Sequence, residues 1–145
     1  MRKELQIRFG DIDRLGHVNN AVYAQFFDIG RVEFLQRHMP GLRFDGRTLV
    51  LVHLETDFIR PVFEHDRIAV ETYMERIGGK SITMMQEIRD EAGVLRARCR
   101  SVLSTLDMAD GGSFPMPADW RAVLERAEFV PERNAVALNT ESHAE

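Results

Sequence analysis

The chain has a single cysteine, Cys99, in 145 residues. One thiol excludes an intrachain disulfide framework and a cysteine-built zinc site, and it suits a reducing compartment, so a cytoplasmic protein is expected. Positive charge is not in excess: 19 Lys+Arg stand against 23 Asp+Glu, a formal net charge of -4. With no global positive field, neither nucleic acid nor an anionic membrane surface is an expected partner, and a phosphate-bearing ligand must find a local basic patch. Long apolar runs are missing too. No window approaches the roughly 18 apolar residues of a membrane span. The N-terminus, MRKELQIRFG, has neither the apolar core nor the cleavage pattern of a signal peptide, so a soluble protein is expected. There is no internal repeat.

What is present is an apolar fraction of 44%, enough for one compact domain with a real core and too short a chain for two. That domain is expected over residues 1–130, with 131–145 (PERNAVALNTESHAE) a polar, flexible tail. Residues 3–9 alternate polar and apolar as a short strand does. From Val22 to Arg37, the run VYAQFFDIGRVEFLQR predicts a helix whose apolar arc is too wide for a surface element, hence one buried on most sides. Asn19 or Asn20 is its N-cap, and Met39-Pro40-Gly41 stops it. Gly30 in its middle costs about 1 kcal/mol against Ala, tolerable where another backbone must come close. Strands are expected at 49–62, 67–77, 81–90 and 94–106, with GGK (78–80) and DEAG (90–93) as hairpin turns of an antiparallel meander. Strands of this length can curl around one helix. Residues 118–129 (ADWRAVLERAEF) predict a short amphipathic helix.

Between the first strand and the long helix lies FGDIDRLGHVNNAVY, which sets Asp11, Asp13, Gly16, His17, Asn19 and Asn20 within ten positions. A calcium loop fails, because Leu15 and Val22 stand where an EF-hand needs oxygen ligands. A transition-metal site on Asp11, Asp13 and His17 has no second close histidine, since His38, His53, His65 and His143 are scattered. Capping by Asp11 and Asn19, a positive φ at Gly16 and a backbone hydrogen bond from His17 account for the residues one by one. The cluster as a whole asks for more. Helix-end N–H groups carry partial positive charge and can hold a developing oxyanion, and a carboxylate pressed on an apolar helix is desolvated into a stronger base or nucleophile. Asp13 with the N–H groups near Asn20 and Ala21 would make an acyl-transfer site. Ser81, Ser101, Ser104 and Cys99 fall in expected strands without a nucleophile elbow.

The stretch FGDIDRLGHVNNAVYAQFFDIGRVEFL resembles the D-x-D-x-x-G-H-V-N-N-x-x-Y signature, followed by a helical Arg, of hotdog-fold acyl thioesterases of the 4-hydroxybenzoyl-CoA thioesterase type and their fatty acyl relatives. The resemblance spans about residues 3 to 108. It implies an α+β hotdog fold, a curved antiparallel five-stranded sheet wrapped around one long central helix, paired edge to edge into homodimers or homotetramers with the ligand at the interface. The activity implied is hydrolysis of an acyl-CoA thioester, without metal or cofactor. The second aspartate of the signature, the family's catalytic carboxylate acting as nucleophile or through water, falls on Asp13. The thioester-oxygen donor at the helix start falls on Asn20. His17 and Asn19 shape the loop, and Tyr23 lines the acyl pocket.

The aromatic-CoA members carry a WYP stretch where HVNN stands here, and HVNN is closer to the fatty acyl members. The turn Gly79-Lys80-Ser81 matches a rim pair that holds CoA phosphates in the family, with Arg60 a further candidate. Arg89, Arg96, Arg98 and Arg100 are also candidates; the last three repeat at period two and share one strand face. That stripe is read evenly as a phosphate site or a solvated face. Phe26, Phe27 and Met84 are expected along the acyl chain. Two alternatives remain: a thioesterase acting on acyl-carrier protein, and a non-hydrolytic acyl-binding module. A hotdog dehydratase fits less well, because His17 precedes the helix.

Overall fold

The computed structural model describes residues 1–43 and 45–131. The tail expected over 131–145, save Pro131, and with it His143, lies outside the described residues. The chain order is strand β1 (Arg2–Leu5), a 3-10 turn (Phe9–Asp11), helix α1 (Asn20–His38), strands β2 (Arg47–Phe58), β3 (Ile68–Ile77), β4 (Ser81–Asp90) and β5 (Leu95–Asp107), and helix α2 (Ala118–Glu125). The five strands form one antiparallel sheet in the order β1-β3-β4-β5-β2. The expected meander is therefore β3-β4-β5, and β2 and β1 flank it as edges.

In β5, Leu95, Ala97, Cys99 and Leu103 are buried. The intervening Arg96, Arg98 and Arg100 share the other face, since successive strand side chains point to opposite sides. The expected strands at 67–77, 81–90 and 94–106 match the observed ones to within a residue. The strand expected over 3–9 stops at Leu5, because Leu5 already pairs with Ile68, the first residue of β3, and no partner strand extends further. The strand expected to reach residue 62 stops at Phe58, where the Ile59 and Arg60 amides both turn to the Arg96 carbonyl ahead of Pro61.

Helix α1 is less enclosed than its composition predicts. Val22, Tyr23, Phe26, Phe27, Gly30, Arg31, Phe34 and Leu35 are buried, while Ala24, Gln25, Asp28, Ile29, Gln36 and Arg37 are exposed. The inward face runs along positions four apart from 22 and 23, and Ile29 falls one position off it and is 45% exposed. Asn19 is the N-cap, its side chain accepting the Ala21 N–H at 2.9 Å. Met39 closes the C-terminal end.

At Gly30 the close neighbours are side chains of the sheet rather than another backbone. A Cβ there would lie 2.7 Å from Gln86 Nε2 and 2.9 Å from both Thr72 Oγ1 and Val70 Cγ1. Gln86 itself is fully buried and donates to the Phe27 carbonyl at 2.9 Å and to Thr72 Oγ1 at 3.0 Å, while accepting from Arg31 at 3.2 Å. Two apolar clusters flank this polar seam. One gathers Tyr23, Phe26, Phe27, Val62 and Ile88, and the other Phe34, Met74, Ile82, Met84 and Leu124 of α2.

Candidate active site

The polar loop is built by its own backbone. The Asp13 amide donates to the His17 carbonyl at 3.0 Å and the Gly16 amide to the Asp13 carbonyl at 3.1 Å, a turn that needs the φ of 86° at Gly16. The Val18 amide then reaches the Val62 carbonyl at 2.8 Å, and His17 bridges Phe63, so the loop is pinned to the segment leaving β2.

The more deeply buried carboxylate here is Asp11, not Asp13. Asp11 accepts the Arg8 amide at 2.8 Å and the Arg8 guanidinium at 3.0 Å, and its carbonyl accepts the Asn19 amide at 2.8 Å. Burial alone would raise its pKa, but the Arg8 hydrogen bonds and charge outweigh burial and hold it below the usual carboxylate value. Asp11 is thus the capping residue the sequence suggests. The desolvation expected of Asp13 is not present in the single chain, where its side chain is 25% exposed. Asp13 Oδ1 accepts the Leu15 amide at 2.8 Å, which fixes the carboxylate and turns Oδ2 toward His17 Nδ1, 3.8 Å away.

At the first turn of α1 the amides divide into used and free. The Ala21 amide is taken by the Asn19 side chain and the Val22 amide by the Asn19 carbonyl, whereas the Asn20 N–H has no acceptor among the described residues. Beside it lies a cleft of about 280 Å³ lined by His17, Asn20, Tyr23, Phe58, Ile59 and Arg60. Tyr23 meets Phe58 edge to face at 5.1 Å, and burial pushes its phenol upward despite the Val62 backbone beside it. A larger cleft of about 670 Å³ lies at the other end of α1, between the loop after the helix and Trp120 of α2. It is remote from the Asp13 loop, whose neighbours His17 and Asn20 line the smaller cleft, so the smaller one is the candidate site.

The structure brings Asp13, His17, Asn19, Asn20, Tyr23 and Arg60 together and leaves Lys80 and Ser81 apart. His17 and Phe63 pair just ahead of β3, and Lys80 follows its far end; ten strand residues separate the two by roughly 33 Å. The arginine face of β5 is electrically matched. Arg96 pairs with Asp90 at 2.8 Å and Asp66 at 3.3 Å, Arg100 with Glu75 at 2.7 Å, and Arg98 stands opposite Glu87 in the β4-β5 register. Arg89 pairs with Glu87. Arg60, by contrast, is exposed, lines the cleft, and forms no ion pair among the described residues. Phe26, Phe27 and Met84, expected along an acyl chain, are sealed in the core at 2%, 0% and 0% exposure. Phe58 and Ile59 take their place at the cleft. Sequence reading missed both, because their role follows from where β2 ends and no periodicity marks it.

An antiparallel sheet packed on a helix face, with a carboxylate loop leading into that helix, defines an α+β protein. The chain belongs to the Thioesterase-like superfamily, whose sequence model matches residues 7–124. It is similar to the chloroplastic acyl-acyl carrier protein thioesterase ATL3 of Arabidopsis thaliana, 36% identical over 83 residues, which are 54% of this chain and 41% of the relative. The chain thus spans about two fifths of that relative's length. Among solved structures it is similar to a predicted thioesterase from Bacillus stearothermophilus, at 30% identity and TM-score 0.81, covering 90% of this chain and 97% of that one. It also resembles a thioesterase of Thermus thermophilus complexed with coenzyme A and Zn, at 29% identity and TM-score 0.75, covering 85% and 95%. The family expectation carried by GDIDRLGHVNN is met. Among the described residues no helix is long and apolar enough to cross a membrane.

Proposed function

We propose that this protein hydrolyses the thioester of an acyl-CoA to a free carboxylic acid and CoA. The observation that carries this reading is Asn20 at the first turn of α1, whose N–H has no acceptor among the described residues and which lines the same cleft as His17, next to the loop of Asp13. A helix-start amide stabilises negative charge as it develops on the thioester oxygen, which is where hydrolysis gains most. Asp13 is the carboxylate that turnover requires. Tyr23 with Phe58 forms the apolar wall for the acyl chain, and Arg60 is the cation nearest the cleft.

The architecture is read as a hotdog, with the sheet curving about α1 and two copies joined along β2. Support for the joining comes from β2 itself, a 12-residue edge strand with Leu51, Val52 and Phe58 43%, 59% and 51% exposed. A long apolar edge of this kind is a template for pairing. Two-fold antiparallel pairing sets the Arg47 end of one strand beside the Phe58 end of its copy. Lys80 and Ser81 lie at the Arg47 end, since Arg47 pairs with Asp107 and Ser81 with Ser104 on β5. A second copy would thereby carry Lys80 and Ser81 toward this cleft, where they would serve the CoA phosphates. The same joining would remove water from Asp13.

Release of free thiol from a panel of acyl-CoAs tests the reading. Asp13→Asn should abolish turnover with the fold and CoA binding intact, and wild-type turnover in that variant would refute the role of Asp13. The likeness to an acyl-carrier-protein thioesterase favours a second reading, in which the thioester arrives on an acidic carrier. Competition between acyl-CoA and acyl-carrier protein for one enzyme decides between them.

A further inference from the structure

The larger cleft, at the C-terminal end of α1, has an apolar floor of Met39, Leu42, Trp120 and Val123. Met39 is buried, and the other three are half-buried against the second apolar cluster. The charges at its rim are already engaged. Arg43 pairs with Asp45 at 2.9 Å, and Arg47 pairs with Asp107 at 3.5 Å and lies over the Phe114 ring at 4.2 Å. Burial and the neighbouring Arg37 lower the pKa of His38, which leaves its imidazole largely neutral at pH 7. A space of about 670 Å³ with an apolar floor and a neutralised rim suits a hydrocarbon chain rather than a phosphate or a free carboxylate.

Helix α1 runs from the Phe58 end of β2 to its Arg47 end: Tyr23 meets Phe58, and His38 lines the larger cleft with Arg47. The two clefts of one chain are therefore separated by a 19-residue helix, roughly 28 Å long. A chain bonded to a carbonyl at Asn20 starts a helix length away from its own larger cleft. Joining along β2 reverses this relation. A two-fold axis perpendicular to the sheet keeps both α1 helices on one face and sets the Arg47 end of the copy beside Phe58 of this chain. Phe58 and Ile59, 51% and 38% exposed, would then form an apolar path from Asn20 to the copy's larger cleft.

We propose that the cleft floored by Met39, Leu42, Trp120 and Val123 is the acyl-chain pocket for the thioester held at Asn20 of the partner subunit, and that it selects long aliphatic chains. This rests on the thioesterase reading and on joining along β2, and adds the residues that choose the substrate. Each methylene that enters leaves water, a gain of about fourfold in affinity. The gain is shared by substrate and transition state, so it appears in KM and kcat/KM rather than in kcat.

Trp120 is the only tryptophan of the chain, so its emission reports on this cleft in the unaltered protein. Dodecanoate and dodecanoyl-CoA should shift it to shorter wavelength and CoA alone should not. No shift with either chain, or an equal shift with CoA alone, overturns the pocket. Along a saturated acyl-CoA series kcat/KM should climb by up to about fourfold per methylene. Val123→Phe and, separately, Leu42→Phe reduce the cleft and should flatten that climb, with thermal unfolding read alongside to separate filling from misfolding. An undiminished climb in both folded variants overturns the assignment. Because pocket and carbonyl site belong to different subunits, heterodimers of Asp13→Asn with Val123→Phe, purified by two tags, should regain the long-chain turnover that each parent lacks. One intact Asp13 then faces one unaltered cleft. Heterodimers no more active than the parents overturn the pairing across subunits. If the wild type releases no thiol from any acyl-CoA or acyl-carrier thioester, the thioesterase reading itself fails, and the Trp120 emission still decides whether the cleft takes an acyl chain.

Discussion

Replacing Gly30 by alanine sets helix propensity against packing, and the two give opposite signs. Propensity alone stabilises a mid-helix Gly→Ala by about 1 kcal/mol. In this protein the new methyl would lie 2.7 Å from Gln86 Nε2 and 2.9 Å from Thr72 Oγ1 and Val70 Cγ1, closer than such atoms can stand. Either α1 lifts from the sheet or Gln86 moves, and Gln86 joins Phe27, Thr72 and Arg31 in a wholly buried seam. Forcing extra volume into a packed site costs about 1–3 kcal/mol. Leaving one buried hydrogen-bonding group unpaired costs about 1–3 kcal/mol more. The net is a loss of about 1–5 kcal/mol, or several degrees in Tm at roughly 4 °C per kcal/mol for a domain of this size. Denaturant and thermal unfolding of the purified variant measure it. The seam also fixes α1, whose first turn carries Asn20, so thiol release should fall with stability. A Gly30→Ala protein that melts at or above the wild-type temperature would show that the seam yields freely and that this reasoning is wrong.

Asn19→Ala removes the cap on Ala21 and should cost about 0.5–2 kcal/mol by denaturant unfolding. Activity should fall with it, since Asn20 is the next residue. Asp11 has a folded pKa below its unfolded value, so its contribution is present above the unfolded pKa and is lost as pH falls through the folded one. Stability against pH should therefore drop at acidic pH less steeply in Asp11→Asn than in the wild type, and parallel curves would contradict this. Val52→Lys places a charge on the open edge of β2, where 59% of the residue is exposed, and should leave the fold intact while shifting sedimentation toward monomer and reducing turnover. Unchanged sedimentation of an oligomeric wild type would remove β2 as the joining edge.

Much of the architecture was legible because strand and helix periods are local. The alternation in 81–90 and 94–106 and the glycine turns between them place β4 and β5 almost to the residue. Gln86, at an inward position between Met84 and Ile88, was not singled out, and its partners could not be read from local pattern. They come from α1 and β3, far away in sequence. The polar loop was legible as a cluster. Which carboxylate is buried was not, since Asp11 and Asp13 are two residues apart and differ only in that Arg8 folds back onto the first.

Sequence by itself determines the class of this protein. One thiol, near-balanced charge, period-two strands, one long apolar helix and the GDIDRLGHVNN loop before it are properties of neighbouring residues, and they bring the helix-start site with them. Tertiary structure alone decides which amide stays without an acceptor among the described residues, that Phe58 and Ile59 wall the cleft while Phe26 and Phe27 are sealed away, and that His17 lines it with them. Those outcomes depend on how the end of β2 meets the start of α1. That meeting is a long-range contact set by packing and by competition for hydrogen bonds, and no local pattern encodes it.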